Sequence, residues 1–374
     1  MTKEKNHRSV SRFPRKYIVP EGEEWSSEKV FDKTHSYITG QIHFSKSWQP
    51  AVVTLWAMGT YLHQRFPCYG HLWLNSPTTH SGKTKLLNVL YALCYKASEP
   101  QLEPTSAVLF RFPSAIGGTF LIDEVDRLDP QRKSDVISML NQYSKNGSVM
   151  RIIRGRDQKS TVERLPVYCP KVIAGIEGLP VTLQDRCIRI ALHRKKQGEK
   201  VHRFLPEDFD RKKPLRDQLE AWASRKSTAI IKAYRNRKRL GVPQDVNDDR
   251  VRDILEPLFA IASVLPTRVR AALLEGAAEI AKGRKSEEAE SNPVVACVQI
   301  LMHHFPKREE VWKLRTERAC QLLGEIPGIE DKAKAQELLR KLGFHSGNCK
   351  IQKKVLSAYR IPRRSLERLA ERYS

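Results

Sequence analysis

Apolar residues along this chain gather in short dense runs separated by polar, glycine- or proline-bearing stretches. "HLWLNS" (71–76), "TSAVLFRF" (105–112), "GTFLIDE" (118–124) and "PKVIAGI" (170–176) are short apolar or β-rich runs, of a length that suits buried strands. "KTKLLNVLYALCYKA" (83–97) is apolar almost all round, as expected of a helix packed between a sheet and other helices. Residues from Ser47 to about His63 predict an amphipathic helix, and residues 214–281 are largely helical in pattern. Strand and helix alternating in this way predict a mostly parallel sheet with helices on its faces. Residues 1–45 lack a sustained period and read as an extended basic arm. "KGRKSEEAESN" (282–292) reads as a linker. The expected division is therefore an arm (1–45), an α/β core (46–195), a helical lid region (196–285) and a small C-terminal helical or winged-helix-like module (290–374).

Composition narrows the partners. The 374 residues carry 66 lysines and arginines against 42 acidic residues, a formal net charge of +24, which favours a polyanion. Seven scattered cysteines without CxxC or zinc spacing argue for reduced thiols, not a disulfide framework or a zinc site. The longest apolar run, "AVVTLWAMGTYL" from Ala51, is too short for a membrane span, and the first residues are polar and basic. A soluble cytoplasmic protein is expected.

The chemistry starts at "SPTTHSGKT" (76–84), which ends like a phosphate-binding loop with Pro77 in place of the usual first glycine. Backbone N–H groups of such a loop cradle phosphates at a helix N-terminus. Ser81, Gly82, Lys83, Thr84 and Lys85 are the expected nucleotide contacts, with Lys83 on the β/γ-phosphates and the Thr84 hydroxyl on magnesium. About forty residues on, the apolar strand of "GTFLIDEVD" delivers Asp123 to hold the metal and Glu124 to polarise the attacking water. ATP and Mg2+ are the expected ligands.

"LPVTLQDRCIRIAL" (179–192) places Arg186 where ring ATPases carry an arginine finger that reaches a neighbouring subunit's nucleotide; a structural ion pair with Asp185 or another carboxylate is the alternative. Arg250, opening the helix of "NDDRVRDILEPLFAIA" (247–262), is placed like a lid arginine that senses nucleotide within the same subunit. The end of "KVIAGI" offers no polar residue for the first sensor. Between the acidic pair and Arg186, "GSVMRIIRGRDQKSTVERLPVYC" (147–169) reads as a hairpin with a basic tip. Arg154, Arg156 and Lys159 are its candidate DNA contacts, against the alternative of a solvated hairpin. The helix of "RKSTAIIKAYRNRKRLG" (225–241) and Arg363, Arg364 and Arg368 of "IPRRSLERLAERY" are further basic candidates.

The stretches "LWAMGTYLHQRF", "SPTTHSGKTKLLNVL", "LFRF", "LIDEVDRL", "MLNQYSKNGSVMR", "GIEGLPVTLQDRCIRIALHRKKQGEKVHRF" and "DDRVRDILEPLFAIA" together resemble a P-loop ATPase family long labelled a domain of unknown function. That family is encoded by bacteria, phages, plasmids and integrated elements, often beside primase modules. The resemblance spans about residues 50–265, with an echo in "AYRIPRRSLERLAERY" (358–373), and the S-P-x-x-x-S-G-K-T form of the loop is typical of it. It implies an AAA+-like P-loop NTPase core. The resulting expectation is a DNA helicase or translocase, a homo-oligomeric ring acting on single-stranded DNA, in replication or maintenance of a mobile element and with a primase as a possible partner. The rivals are a non-translocating ATP-switch initiator or loader and a P-loop phosphotransferase.

Overall fold

Ser26 caps the first helix, its side chain accepting the Lys29 N–H at 3.2 Å. The computed structural model describes residues 26–373 apart from 79, 103, 126–135, 155–159, 177, 196, 197, 244, 245, 247, 307, 308, 327, 328, 330, 352 and 353. The chain divides into two units, Met1–Ile280 and Ala281–Ser374.

In the first unit, α1 (Ser27–Gln41) buries Val30, Phe31, Thr34 and Ile38 on one stripe, so the described part of the expected arm is a packed helix. The stripe escapes a hydropathy reading because Thr34 sits in its middle, its hydroxyl bonded to the Val30 carbonyl at 2.8 Å. The next helix, α2 (Gln49–Gly59), is buried along nearly its whole length and is not amphipathic. It packs against α1 and the later α10 (Asp249–Ala262). Trp56 Nε1 of α2 donates to the Gly70 carbonyl (2.7 Å), fixing the chain just before β1 (His71–Asn75).

The sheet has the order β2–β5–β1–β6, with β2 Phe120–Ile122, β5 Lys171–Gly175 and β6 Cys187–Ala191. All three pairings are parallel: Leu72 lies opposite Val172 and Ile188, and Leu121 opposite Val172. Every residue of β1, β2 and β5 is buried, which is why these strands read as unbroken apolar runs. The crossover helix α3 (Lys83–Leu93) packs on β5 and on α1.

"TSAVLFRF", read as a strand, is instead the helix α4 (Ser106–Ala115), capped by the Thr105 side chain bonded to Val108 N (3.4 Å). Its backbone closes helical turns, with Leu109 N–H on the Thr105 carbonyl (3.2 Å) and Ile116 N–H on the Phe112 carbonyl (2.9 Å), and Leu109 is buried. Residues 136–140, after the acidic pair, are helical (α5). The hairpin is present as β3 (Ser148–Arg154) and β4 (Ser160–Pro166), in antiparallel register from Ser148 opposite Pro166 to Arg154 opposite Ser160. After the short α6 (Val181–Gln184) and β6, the chain is helical: α7 (Asp208–Arg211), α8 (Lys213–Arg235), α9 (Arg237–Leu240), α10 and α11 (Thr267–Ser291). Helix α11 continues through most of the expected linker, because "SEEAES" contains strong helix formers and no proline.

The second unit runs α12 (Pro293–His304), β7 (Val311–Arg315), α13 (Thr316–Leu323), α14 (Lys332–Lys341), β8 (Ser346–Ile351), β9 (Lys354–Pro362) and α15 (Arg363–Tyr373). Its strands form an antiparallel sheet of order β7–β9–β8. Leu301, Leu314, Leu323, Leu339, Tyr359, Ile361 and Leu366 form its separate core.

Candidate functional site

Strand β1 carries the chain to Ser76, whose hydroxyl accepts the Thr78 N–H (3.2 Å) and donates to the Thr78 carbonyl (2.8 Å). This side-chain turn sets the start of the loop where Pro77 replaces glycine, and it supplies order without needing an N–H from residue 77. His80 (φ 58°) and Gly82 (φ 97°) then take left-handed conformations and wrap the backbone round to α3. A Cβ at Gly82 would meet nothing within 4 Å, so the glycine is needed for its backbone angle and not for space. Gly82 is the N-cap of α3 and has no side chain to cap the first-turn N–H groups, the donors that suit an anion at the positive end of a helix.

Lys83 folds back over the loop, its Nζ 3.3 Å from the Thr78 carbonyl. The Thr84 hydroxyl donates to Asp123 Oδ2 at 2.8 Å, joining the loop to the end of β2. Asp123 is 5% exposed; its other carboxylate oxygen accepts the Glu124 N–H (3.0 Å), and its own N–H reaches the Gln101 carbonyl (2.9 Å). Glu124 adopts φ 52°, a left-handed angle that costs a non-glycine residue about 1–2 kcal/mol. Its side chain is partly buried. Ser81 Oγ is buried without a hydrogen-bond partner among the described residues. Such an orphan hydroxyl beside an uncapped helix start fits a phosphate oxygen. The Thr84–Asp123 pair likewise fits a hard cation, which takes oxygen donors.

Ser81, Gly82, Lys83, Thr84, Asp123 and Glu124 thus meet at the carboxyl ends of β1 and β2. Lys85 does not join them. Its amine donates to the His202 carbonyl, and burial, then the Lys195 charge, hold it below the usual lysine range.

The two arginines lie elsewhere. The Arg186 carbonyl accepts the His71 N–H (2.9 Å) at the amino end of β1, one strand length from the loop at its carboxyl end. Five parallel residues span roughly 13 Å. The Arg186 guanidinium lies over the Tyr143 ring (5.5 Å) and donates to the Thr182 carbonyl, while its Nε has no hydrogen-bond partner among the described residues. Burial, then the Arg250 charge, lower its pKa. Arg250 Nη1 lies 3.6 Å from Asp185 Oδ2, and Tyr143 Oη donates to Asp253 Oδ2 (3.0 Å), one turn along α10 from Arg250. Arg250 is therefore gathered with Arg186 and not with Lys83, contrary to its expected place beside its own chain's nucleotide. Sequence distance gives no hint of this, since α10 packs near the amino end of β1: a Cβ on Gly70 would come within 2.6 Å of Ile254 Cβ.

Arg154 ends β3 opposite Ser160, and Arg156 and Lys159 lie outside the described residues. Sequence reading missed Tyr143, which underlies Arg186 and binds Asp253 one turn from Arg250, and Asn75, which sits directly before the loop. Asn75 Oδ1 accepts from Arg189 (3.0 Å), whose guanidinium lies over Trp73 (4.9 Å). The alternation of "CIRIA" is the one signal that sets Arg189 apart from its apolar neighbours. Among the described residues no helix is long and apolar enough to cross a membrane, and the seven cysteines are free thiols.

Residues 191–362 match a family described as a protein of unknown function, DUF3631. The match shares residues 191–265 with the stretch over which the sequence resembles a family of that label, extends it through β9, and leaves the phosphate loop outside. No curated protein matches the chain. Among solved structures it is similar to an active helicase, SCCmec type IV Cch, at a TM-score of 0.40 and 11% identity, over 90% of this chain and 68% of that one. It is also similar to the apo C-terminal region of NrS-1 (TM-score 0.39, 10% identity, 88% and 75% covered) and to JCV helicase (0.30, 16%, 74% and 70%). Likenesses this loose lend no weight to an assignment of function.

Proposed function

We propose that this chain is an ATP- and magnesium-dependent AAA+-like ATPase that drives a DNA helicase or translocase and works as a homo-oligomeric ring. The observation that carries the reading is the 2.8 Å contact between Thr84 and Asp123, which joins a glycine-turned loop to an acidic strand end in a parallel sheet. Lys83 is the charge for the transferring phosphate, and Gly82 with the first N–H groups of α3 is the cradle for its neighbours. Thr84 and Asp123 would hold magnesium, which when bound neutralises charge on the phosphates. Glu124, on a left-handed backbone directly after Asp123, polarises the attacking water.

The ring is supported by the position of Arg186. An arginine at the amino ends of the strands is a strand length from its own phosphate loop, so a role in hydrolysis needs a neighbour. A contact in which one copy's arginine meets another copy's loop is head-to-tail, and such contacts close into rings. The excess of 24 positive charges supports a nucleic acid as the track. The hairpin residues Arg154, Arg156 and Lys159 are the proposed contacts to single-stranded DNA. The second unit has the helix–strand–helix–helix–hairpin order of a winged helix, which supports a module for DNA or a protein partner. A core over 46–195, a lid over 196–285, cytoplasmic work on a mobile element and a primase partner complete the proposal; those last two rest on the family resemblance.

The deciding experiment is ATPase turnover with and without single- and double-stranded DNA, beside a mass measurement with a non-hydrolysable ATP analogue. Strong stimulation by single strands and an analogue-stabilised ring support a motor. Weak stoichiometric hydrolysis supports the ATP-switch reading, and turnover by a monomer indifferent to DNA refutes both.

A further inference from the structure

Arg250 sits where it cannot serve the nucleotide of its own chain. Its loop lies at the carboxyl end of β1, whereas Arg250 is tied by Asp185 to the turn preceding β6, at the amino end of the same sheet. The surroundings are shared with Arg186. Tyr143 underlies the Arg186 guanidinium and binds Asp253, the residue one turn from Arg250. The two guanidiniums thus belong to one cluster made from α6, the residues after α5, and the start of α10.

From this juxtaposition we infer that Arg250 acts in trans: together with Arg186 it engages the triphosphate bound to the neighbouring copy of this chain. The inference rests on the ATPase-ring reading above and names a second residue that the neighbour contributes.

Two further observations fit a phosphate-seeking pair. Like charges held close together repel, and an anion placed between them relieves that repulsion. The Arg250–Asp185 contact is loose at 3.6 Å, with the side chains 46% and 36% exposed, the kind of surface pair that contributes little and is readily exchanged. Arg186 Nε, in turn, is a buried donor without a partner among the described residues. A triphosphate arriving from a neighbour would give both cations acceptors in geometry that arginine suits, with planar paired donors.

Mixed oligomers test this directly, because trans and same-chain roles give opposite patterns. Lys83→Ala, Arg186→Ala and Arg250→Ala are purified separately, and DNA-stimulated ATPase is measured for each and for equal mixtures. Arg250→Ala alone should lose roughly 10²-fold in turnover while retaining nucleotide binding. Mixed with Lys83→Ala it should regain activity, since roughly a quarter of randomly formed head-to-tail interfaces then join an intact loop to an intact arginine pair. Mixed with Arg186→Ala it should regain nothing, because no interface then holds both arginines. A same-chain role predicts the reverse in both mixtures and overturns the inference, as does full activity of Arg250→Ala by itself. Arg250→Gln, which keeps a hydrogen-bonding side chain for Asp185, is run in the same pairs so that a folding defect in the alanine variant cannot decide the outcome. The Lys83→Ala with Arg186→Ala mixture separates the two levels. If it fails to recover, the shared-site reading itself falls, and if it recovers while the Arg250 pairs behave as same-chain defects, only this inference falls.

Discussion

His63 offers a perturbation whose size follows from the structure. It lies one turn beyond α2, with its ring nitrogens 2.7 Å from the Thr60 carbonyl and 3.0 Å from Gln64 Nε2. Its ring packs between Tyr95, which follows α3, and Tyr168, which precedes β5. It therefore clamps two elements that position the phosphate loop. The Thr60 carbonyl takes the Nδ1 proton and the Gln64 amide donates to Nε2, so the ring is satisfied only when neutral. Burial pushes its pKa down to about 4 against the upward pull of the Thr60 carbonyl, and the charges of Lys145 and Lys171 add smaller downward shifts. The unfolded chain takes up this proton near pH 6.5 and the folded one only near 4, so stability is full above 6.5 and is lost as pH falls between those values. The difference is worth on the order of 3 kcal/mol, of which about 2 kcal/mol is gone by pH 5. Urea unfolding of wild type and His63→Gln at pH 7 and pH 5 measures it. Wild type should lose about 2 kcal/mol more than the variant over that interval, the buried His71 contributing equally to both. Parallel losses in the two proteins would refute the reasoning.

Other expectations are as specific. Gly70→Ala should cost about 1–3 kcal/mol, read from the urea midpoint, because its Cβ would press on Ile254 Cβ and on the backbone of α10. Gly82→Ala should weaken nucleotide binding through backbone strain of about 1–2 kcal/mol, since its φ of 97° is unfavourable to alanine even though the space is open; unchanged affinity by nucleotide titration counts against the loop. Replacing Arg154, Arg156 and Lys159 together by alanine should leave basal ATPase intact and abolish DNA stimulation. It should also flatten the logarithmic salt slope by about 0.7 per lost contact on single strands. Superimposable salt titrations would instead pass the DNA contact to the basic face near Arg235 or to the second unit.

The parts of this molecule that were legible in its sequence are those where one signal dominates. Fully buried strands such as "HLWLN" and "KVIAG" have nothing polar to break the run, and the glycine, lysine and hydroxyl of the loop are dictated by what a phosphate needs. Legibility failed where two signals compete. In "SAVLFRF" β-branched and aromatic residues suggest a strand, yet the Thr105 cap and contact with β4 and the core through Leu109 make it a helix. In α1 a buried threonine interrupts the stripe, and in "KGRKSEEAES" a loop-like charge run is also a run of good helix formers. The place of Arg250 was out of reach for a different reason. Which end of the sheet a helix start packs against depends on the tertiary path of α8 to α10, here fixed by contacts such as Arg237 with Glu256 (3.3 Å) and Ile254 with Gly70.

The central claim, that the loop and the acidic pair form one hydrolytic site, is tested most directly by ATP binding and turnover in Lys83→Ala and Glu124→Gln measured side by side. Lys83→Ala should lose both, because the phosphate loses its charge partner. Glu124→Gln should bind ATP like the wild type and turn it over roughly 10²–10³-fold more slowly, because only the attacking water loses its polarising group. Wild-type turnover in Glu124→Gln, or undiminished binding and turnover in Lys83→Ala, would contradict the account.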